Sequence, residues 1–160
     1  MTPKIITLVK FLILVVALNI IRYALGMPIE KLLIFDRLFA AMEQGAACFK
    51  TEFTTFDWAT SYFYNFMMWL TVTWIYLTVE PHLAGHPVVK SLKVFGWGLL
   101  FFLSLSAIYM NHYRHPRDFY FWNMLDGVLV FPLVGIANGL IYPVLFKKPR
   151  ASTESGTRQA

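Results

Sequence analysis

Charged residues are scarce in this sequence. Of its 160 residues, 14% are charged, 58% are hydrophobic and 18% are aromatic, whereas a soluble domain averages about 25% charged residues. So few charged side chains cannot cover the surface of a soluble chain of this length, which excludes a soluble monomer. The single cysteine, Cys48, excludes a disulfide scaffold. The high apolar content excludes a disordered chain.

The common catalytic motifs are also missing. The sequence has no G-x-S-x-G, no Walker loop, no C-x-x-C and no H-E-x-x-H. No histidine lies inside a long apolar segment, which disfavours a haem held by two histidines within a bilayer. The net charge of +5 comes from residues beside the apolar segments, where it indicates membrane topology and contact with anionic lipids rather than nucleic-acid binding.

What the sequence does contain is long apolar segments. Four of them reach the length of about 17–25 residues that a membrane helix needs, namely residues 5–25, 62–79, 94–110 and 127–146. None alternates as a barrel strand does, and only helices or closed barrels satisfy the backbone in lipid. We therefore predict an all-α, polytopic membrane protein with one four-helix domain over residues 1–150 and a flexible polar tail over 151–160.

The first segment has a second interpretation. Lys4 and Lys10 precede or open its apolar part, and Ala24-Leu25-Gly26 has the small-x-small pattern of a signal-peptidase site. We interpret the segment as a retained membrane helix, with a cleaved signal peptide as the alternative.

Residues 28–45 have an amphipathic pattern. Glu30, Arg37 and Gln44 recur every seven residues, and apolar residues such as Ile29 fall on the opposite side. This spacing predicts a separate helix between the first and second membrane helices. We expect it to lie in the lipid headgroup region or to pack on a neighbouring subunit.

Basic residues near the ends of the apolar segments indicate the orientation of the chain. With four spans, eight of the 14 Lys and Arg residues lie on the side of the two termini, and six lie on the other side. This majority predicts that both termini are cytoplasmic, and we expect a bacterial-type inner membrane.

Histidines and an aspartate cluster after the third apolar segment. His112, His115 and Asp118 lie within eight residues of one another, and imidazole with carboxylate suits zinc, copper or iron. Arg114 and Arg117 would oppose a divalent cation there. The segment is therefore either a transition-metal site or a polar connection at the water interface, and no other cofactor is predicted.

Polar and small residues mark the fourth segment. Asp126 stands at its predicted start, where the free N–H groups and the helix dipole favour an acid. Capping is the preferred role, with a functional membrane carboxylate as the alternative. Gly135 and Gly139 form a G-x-x-x-G pair, and Asn138 lies between them. Such residues typically pack one helix against another, within the bundle or against a second chain.

One part of the sequence looks like part of the C subunit of copper membrane monooxygenases. The similarity consists of a helix, a loop with Glu52-Phe53-x-Thr55, two helices, and Arg117-Asp118 before a fourth helix. That family pairs its metal-binding aspartate with a histidine four positions later, whereas position 122 is tryptophan here. The resemblance covers half of the chain and implies a metal-dependent oxidoreductase, but it fails at a residue that would bind the metal.

Three functions are compatible with these features. The first is an accessory or structural subunit of a larger membrane complex, which the missing catalytic motifs and the aromatic surface favour. The second is a small metal-dependent membrane oxidoreductase using His112, His115 and Asp118. The third is an oligomeric transporter or channel. The expected partners are lipids and other membrane subunits, or further copies of this chain.

Overall fold

The computed structural model describes residues 3–50 and 52–146. Every regular element in these two stretches is helical, which confirms the predicted all-α class. The α-helices are α1 (Pro3–Ile21), α2 (Met27–Glu30), α3 (Asp36–Gln44), α4 (Thr55–Val79), α5 (Pro87–His112) and α6 (Arg117–Phe146). The tail predicted over residues 151–160 lies outside the described residues.

The first three α-helices form one unbroken helical stretch, which we call the first helix. Two π-helical segments, Arg22–Gly26 and Lys31–Phe35, join α1 to α2 and α2 to α3. The helix therefore does not end near residue 25, and residues 28–45 do not form a separate element. Pro28, which has no backbone N–H to donate, lies two residues after the first π-helical segment and does not interrupt the helical stretch.

The first helix faces α6 with a stripe of buried residues at intervals of four: Arg22, Gly26, Glu30 and Ile34. In a regular α-helix, four residues overshoot one turn by about 40°, so such a stripe would drift around the axis. The π-helical segments, with their wider turns, keep these positions on one side. Arg37 continues this contact, since its guanidinium lies 5.2 Å from the ring centre of Trp122 on α6.

A capping box begins α4. The hydroxyl of Thr54 accepts a hydrogen bond from the backbone N–H of Asp57, and the Asp57 carboxylate accepts one from the backbone N–H of Thr54. Lys50 donates to the same carboxylate at 2.6 Å. The helix therefore starts at Thr55, seven residues before the apolar segment that sequence analysis identified.

The last two helices are also longer than their apolar segments. His86 accepts a hydrogen bond from the backbone N–H of Val88, and Pro87 occupies the first turn of α5. After the short connection that ends at Pro116, α6 begins at Arg117, ten residues earlier than predicted. Asp126 consequently lies in the interior of α6, and the prediction that it caps the start of this helix is wrong.

Among the residues that the structure describes, three helices are long and apolar enough to cross a membrane: the first helix over Lys4–Gln44, then α5 and α6. The fourth predicted span, residues 62–79, lies within α4, which is 25 residues long and has no charged residue between Asp57 and Glu80. Its Tyr, Trp, Thr and Asn side chains carry polar atoms, and these make α4 less hydrophobic than the other three.

The core lies between α1, α4, α5 and α6. Aromatic rings occupy its centre, where Trp69 stacks on Phe95 at 6.2 Å between ring centres and contacts Phe131 at 5.0 Å. Leu14 and Leu18 of α1 complete this layer. The apolar residues of the outer face remain exposed, as they do in a protein whose outer surface contacts lipid.

The closest approach between helices occurs at Gly139, and it gives a test of the packing. A Cβ atom at this position would lie 2.4 Å from the Val88 Cα atom, which belongs to the backbone of α5. We expect Gly139→Ala to lower the free energy of unfolding by about 1–3 kcal/mol, as overpacking does. Chemical unfolding in detergent measures the effect.

Gly96→Ala is the matched control because a Cβ atom there would meet open space. Alanine favours a helix over glycine by up to about 1 kcal/mol, so this variant should be as stable as the natural protein or more stable. Equal stability of the two variants would contradict the described packing of α6 on α5.

The capping box predicts an altered pKa for the Asp57 carboxyl. The Lys50 hydrogen bond, followed by those from Thr54, lowers the pKa of Asp57 from 3.8 to about 2. The capping interaction is thus fully present above pH 3.8 and is lost as the pH falls through about 2. NMR titration of the Asp57 carboxyl should show this pKa, and Lys50→Ala should raise it.

Lys31→Ala, which removes a lysine that makes no described contact with Asp57, should leave that titration unchanged. An Asp57 pKa near 3.8 in the natural protein would show that the capping box does not form.

Candidate functional site

A buried ion pair links two turns of the first helix. The Nη1 atom of Arg22 donates a hydrogen bond to Oε2 of Glu30 at 3.0 Å, and Nη2 lies 2.7 Å from Oε1. Arg22 is 9% exposed and Glu30 is 1% exposed. An arginine fork facing both oxygens of a carboxylate is a strong and geometrically specific arrangement.

Asp126 of α6 completes this cluster, which we call the charge cluster (Arg22, Glu30 and Asp126). Its carboxyl lies within hydrogen-bonding reach of the Glu30 carboxyl and interacts electrostatically with Arg22. Oδ1 of Asp126 is sealed from solvent and has no hydrogen-bond partner, and the same is true of Nε of Arg22. The cluster therefore contains two carboxyl groups and one permanent positive charge in a space with little solvent.

Local structure explains how these three residues meet. Arg22 and Glu30 belong to the buried four-residue stripe of the first helix, so both face α6. Asp126 lies nine residues, or about 14 Å, from the start of α6. Gly26 lies at the same contact, but a Cβ atom there would only be in ordinary van der Waals contact with Glu30, Val130 and Leu133, so the approach of the helices does not require glycine.

Two members of this cluster, Glu30 and Arg22, were not predicted from the sequence. The amphipathic spacing assigns Glu30 to a polar, water-facing side of a helix, whereas Glu30 is buried and its apolar neighbours Ile29, Leu32 and Leu33 are exposed. The apolar pattern likewise places Arg22 at the end of a membrane helix. The repeat of buried positions every four residues, from Arg22 through Gly26 to Glu30, is the signal that could have revealed the pair.

A second buried ion pair lies at the other end of the bundle. Lys90 of α5 donates hydrogen bonds to the Oε1 and backbone oxygen of Glu80 at 2.9 and 3.0 Å. The hydroxyl of Tyr142 on α6 donates to Oε2 of Glu80 at 3.3 Å. Because Glu80 follows directly on α4, this contact joins the ends of α4, α5 and α6.

The residues of the predicted metal site are not assembled as a ligand set. His112 Nδ1 lies 2.8 Å from the backbone oxygen of Ile108, and His115 Nδ1 lies 2.7 Å from the Tyr120 hydroxyl. Asp118 is exposed in the first turn of α6. Over residues 3–50 and 52–146, no three His, Cys, Asp or Glu side chains are grouped so that they could hold a metal ion.

The small and polar residues of α6 face α5. Gly135 lies against Phe95, and Gly139 lies against the backbone of Val88. Asn138 is fully buried and donates a hydrogen bond to the Ser91 hydroxyl at 2.9 Å. Within this chain, the G-x-x-x-G pair therefore contributes to the contact between α5 and α6.

Helix α4 buries no residue over its first half, where Tyr62 contacts Tyr23 of the first helix at 5.2 Å between ring centres. Its four buried residues all lie between Trp69 and Tyr76, and none lies before position 69. A groove of about 770 Å³ opens on the α5 side, and another of about 650 Å³ opens on the α1 side. The α5-side groove is lined mainly by aromatic and apolar side chains, including Tyr64, Met67, Thr71, Trp97, Phe101 and Leu105.

Comparison with known proteins adds no functional information. No protein-family model, curated protein or solved structure matches this chain. Over its described residues, the protein is therefore all-helical. Three of these helices are long and apolar enough to cross a membrane, and charged side chains are buried between helices.

The stability of the protein should depend strongly on having both Arg22 and Glu30 present, or neither of them. Removing one member of a buried ion pair leaves an unpaired charge and typically costs about 3–5 kcal/mol. We expect losses of that size in the free energy of unfolding for Arg22→Ala and for Glu30→Ala. The double variant Arg22→Met with Glu30→Leu should recover much of the loss because neither charge remains.

Unfolding of the two single variants and of the double variant, measured in one detergent, tests this dependence. Lys50→Ala is the matched control because it breaks an exposed pair, and such pairs contribute little. Losses that simply add in the double variant would contradict the buried pair.

Proposed function

We propose that this chain is an accessory subunit of a larger membrane protein complex. It crosses an inner-membrane-type bilayer four times, with both termini in the cytoplasm. In this proposal α4 is the fourth span, and the outer surface contacts lipid and other membrane subunits. The chain contributes helix packing and a docking surface rather than a catalytic centre.

The length and charge of α4 support four spans. At 1.5 Å per residue, its 25 residues measure about 37 Å, which exceeds a hydrocarbon core of about 30 Å. Its exposed threonines satisfy their own hydroxyl groups. Thr71 donates to the backbone oxygen of Met67 at 2.9 Å, and Thr78 donates to that of Trp74 at 3.0 Å. Bonding of this kind lowers the cost of placing a hydroxyl in lipid.

The single observation that carries the accessory role is the incomplete burial of α4. Helix α4 has one half in which no residue is buried, with a groove on each side. Aromatic and polar side chains in these grooves, such as Tyr64 and Asn19, suit contact with a protein helix better than contact with lipid tails alone. A membrane helix of a second subunit would fill the larger groove.

The other two functions suggested by the sequence receive less support. A metal-dependent oxidoreductase needs ligands in one place, and His112, His115 and Asp118 each have other surroundings. A transporter needs a continuous polar path, whereas the aromatic layer of Trp69, Phe95 and Phe131 lies at the centre of the core.

The experiment is extraction from the native membrane in a mild detergent, followed by measurement of native mass and identification of every co-purifying chain. An accessory subunit should run with unrelated subunits at a fixed ratio. Migration alone, or only as copies of itself, would contradict the proposal.

The groove itself gives a sharper prediction. Phe101 is 71% exposed and lines the α5-side groove, so Phe101→Ala should leave the bundle folded while removing contact area from a bound helix. We expect at least about tenfold weaker retention of the partner, as for truncation of an interface aromatic. Quantitative mass spectrometry of the purified complex provides the measurement.

Leu140→Ala is the control for this variant. Leu140 is also exposed, at 59%, but it lies on α6 and lines neither groove. Partner retention should be unchanged in this variant. Equal retention in both variants would place the partner elsewhere on the surface.

A further inference from the structure

We propose that the carboxyl groups of Glu30 and Asp126 form a proton-binding site. The pair holds one proton between the two carboxyl groups, and the Arg22 guanidinium balances the remaining negative charge. This site is separate from the docking surface at α4, and it concerns a ligand, the proton, that the proposed accessory role does not require.

The charges in the cluster favour one bound proton. With both carboxyl groups ionised, the cluster would hold two negative charges and one positive charge, since arginine stays protonated in proteins. A net charge removed from water is far more costly than a neutral group. One bound proton makes the charge cluster neutral.

The proximity of the Glu30 and Asp126 carboxyl groups also favours a shared proton. Two carboxyl groups within hydrogen-bonding reach repel each other when both are ionised, but they form an O–H···O hydrogen bond when one is protonated. The Asp126 carboxyl has this relation to Glu30. Oδ1 of Asp126 is buried without a partner, so a proton there would have no competing water.

The surrounding elements offer no other charge that could replace the proton. The titratable side chains that interact with the pair are Arg22, Tyr23 and, beyond Tyr23, Tyr62 of α4. Neither tyrosine supplies a positive charge. The Arg22 guanidinium lies 4.6 Å from the ring centre of Tyr23, which helps to hold it in place.

A small cavity adjoins the carboxyl pair on the Glu30 side. A space of about 140 Å³ adjoins Glu30 and is otherwise lined by apolar groups of Gly26, Ile29, Leu129, Val130 and Leu133. Since one water takes up about 30 Å³ of liquid, the space is large enough for a few waters. The carboxylate oxygens of Glu30 provide the polar contact that such waters need.

Release of the proton would affect the fold at this point. It places two carboxylates next to each other between the first helix and α6, and only Arg22 opposes their repulsion. The contact between these helices should therefore be tighter in the protonated state than in the deprotonated state.

The test is infrared spectroscopy of the purified protein in lipid. A protonated carboxylic acid has a C=O stretching band that a carboxylate lacks, and transfer from H₂O to D₂O shifts this band. At neutral pH the natural protein should show one such band, and both Asp126→Asn and Glu30→Gln should abolish it. Either substitution leaves one carboxylate and the Arg22 guanidinium in the cluster, so the charges balance without a bound proton.

Asp118→Asn is the control, since Asp118 lies on the same helix but is exposed. The infrared band of this variant should match that of the natural protein. Thermal unfolding verifies that each variant is folded. If Asp126→Asn does not fold, Glu30→Gln carries the test. Absence of the band in the natural protein, its survival in either folded cluster variant, or its loss in Asp118→Asn would each overturn the shared proton.

Discussion

The ion pair between Arg22 and Glu30 is the constraint on which the arrangement of this protein depends. Neither charge can remain in an apolar environment alone, so the two residues must face each other and must be covered. Asp126 of α6 supplies that cover. The first helix is therefore fixed against α6 in rotation and in register, and the apolar neighbours of Glu30, namely Ile29, Leu32 and Leu33, point away from the bundle.

Other contacts of the bundle also pair charged groups at its ends and pack apolar groups between them. The Glu80–Lys90–Tyr142 contact joins the far ends of α4, α5 and α6, while the layer around Trp69 and Phe95 fills the space between the two polar ends. Gly139 lets α5 and α6 approach to backbone contact. Charged groups are thus paired inside, and many apolar side chains cover the outside, which is the distribution expected for a protein in lipid.

The apolar segments of the sequence were sufficient for the helical class, whereas two helix starts were not predicted although local signals for them are present. Thr54 and Asp57 have the spacing of a capping box, and Pro87 marks the first turn of α5. The burial of Glu30 was missed because amphipathic spacing identifies two faces of a helix without saying which one faces water. Asp126 was misplaced because α6 starts with Arg117 and Asp118, whose charges resemble a loop. Contacts between distant helices leave no such local pattern.

The central claim is that the first helix turns the charge of Glu30 inward at this point, while the neighbouring apolar residues Ile29, Leu32 and Leu33 face outward. Cysteine labelling in vesicles tests it most directly, in a Cys48→Ser background, at Ile29 and Ile34. Ile29 is 42% exposed and Ile34 is 1% exposed. The account predicts that Ile29→Cys reacts with a lipid-dissolved maleimide and not with a charged aqueous one, and that Ile34→Cys reacts with neither. Rapid reaction of Ile29→Cys with the aqueous reagent, at the rate of natural Cys48, would contradict it.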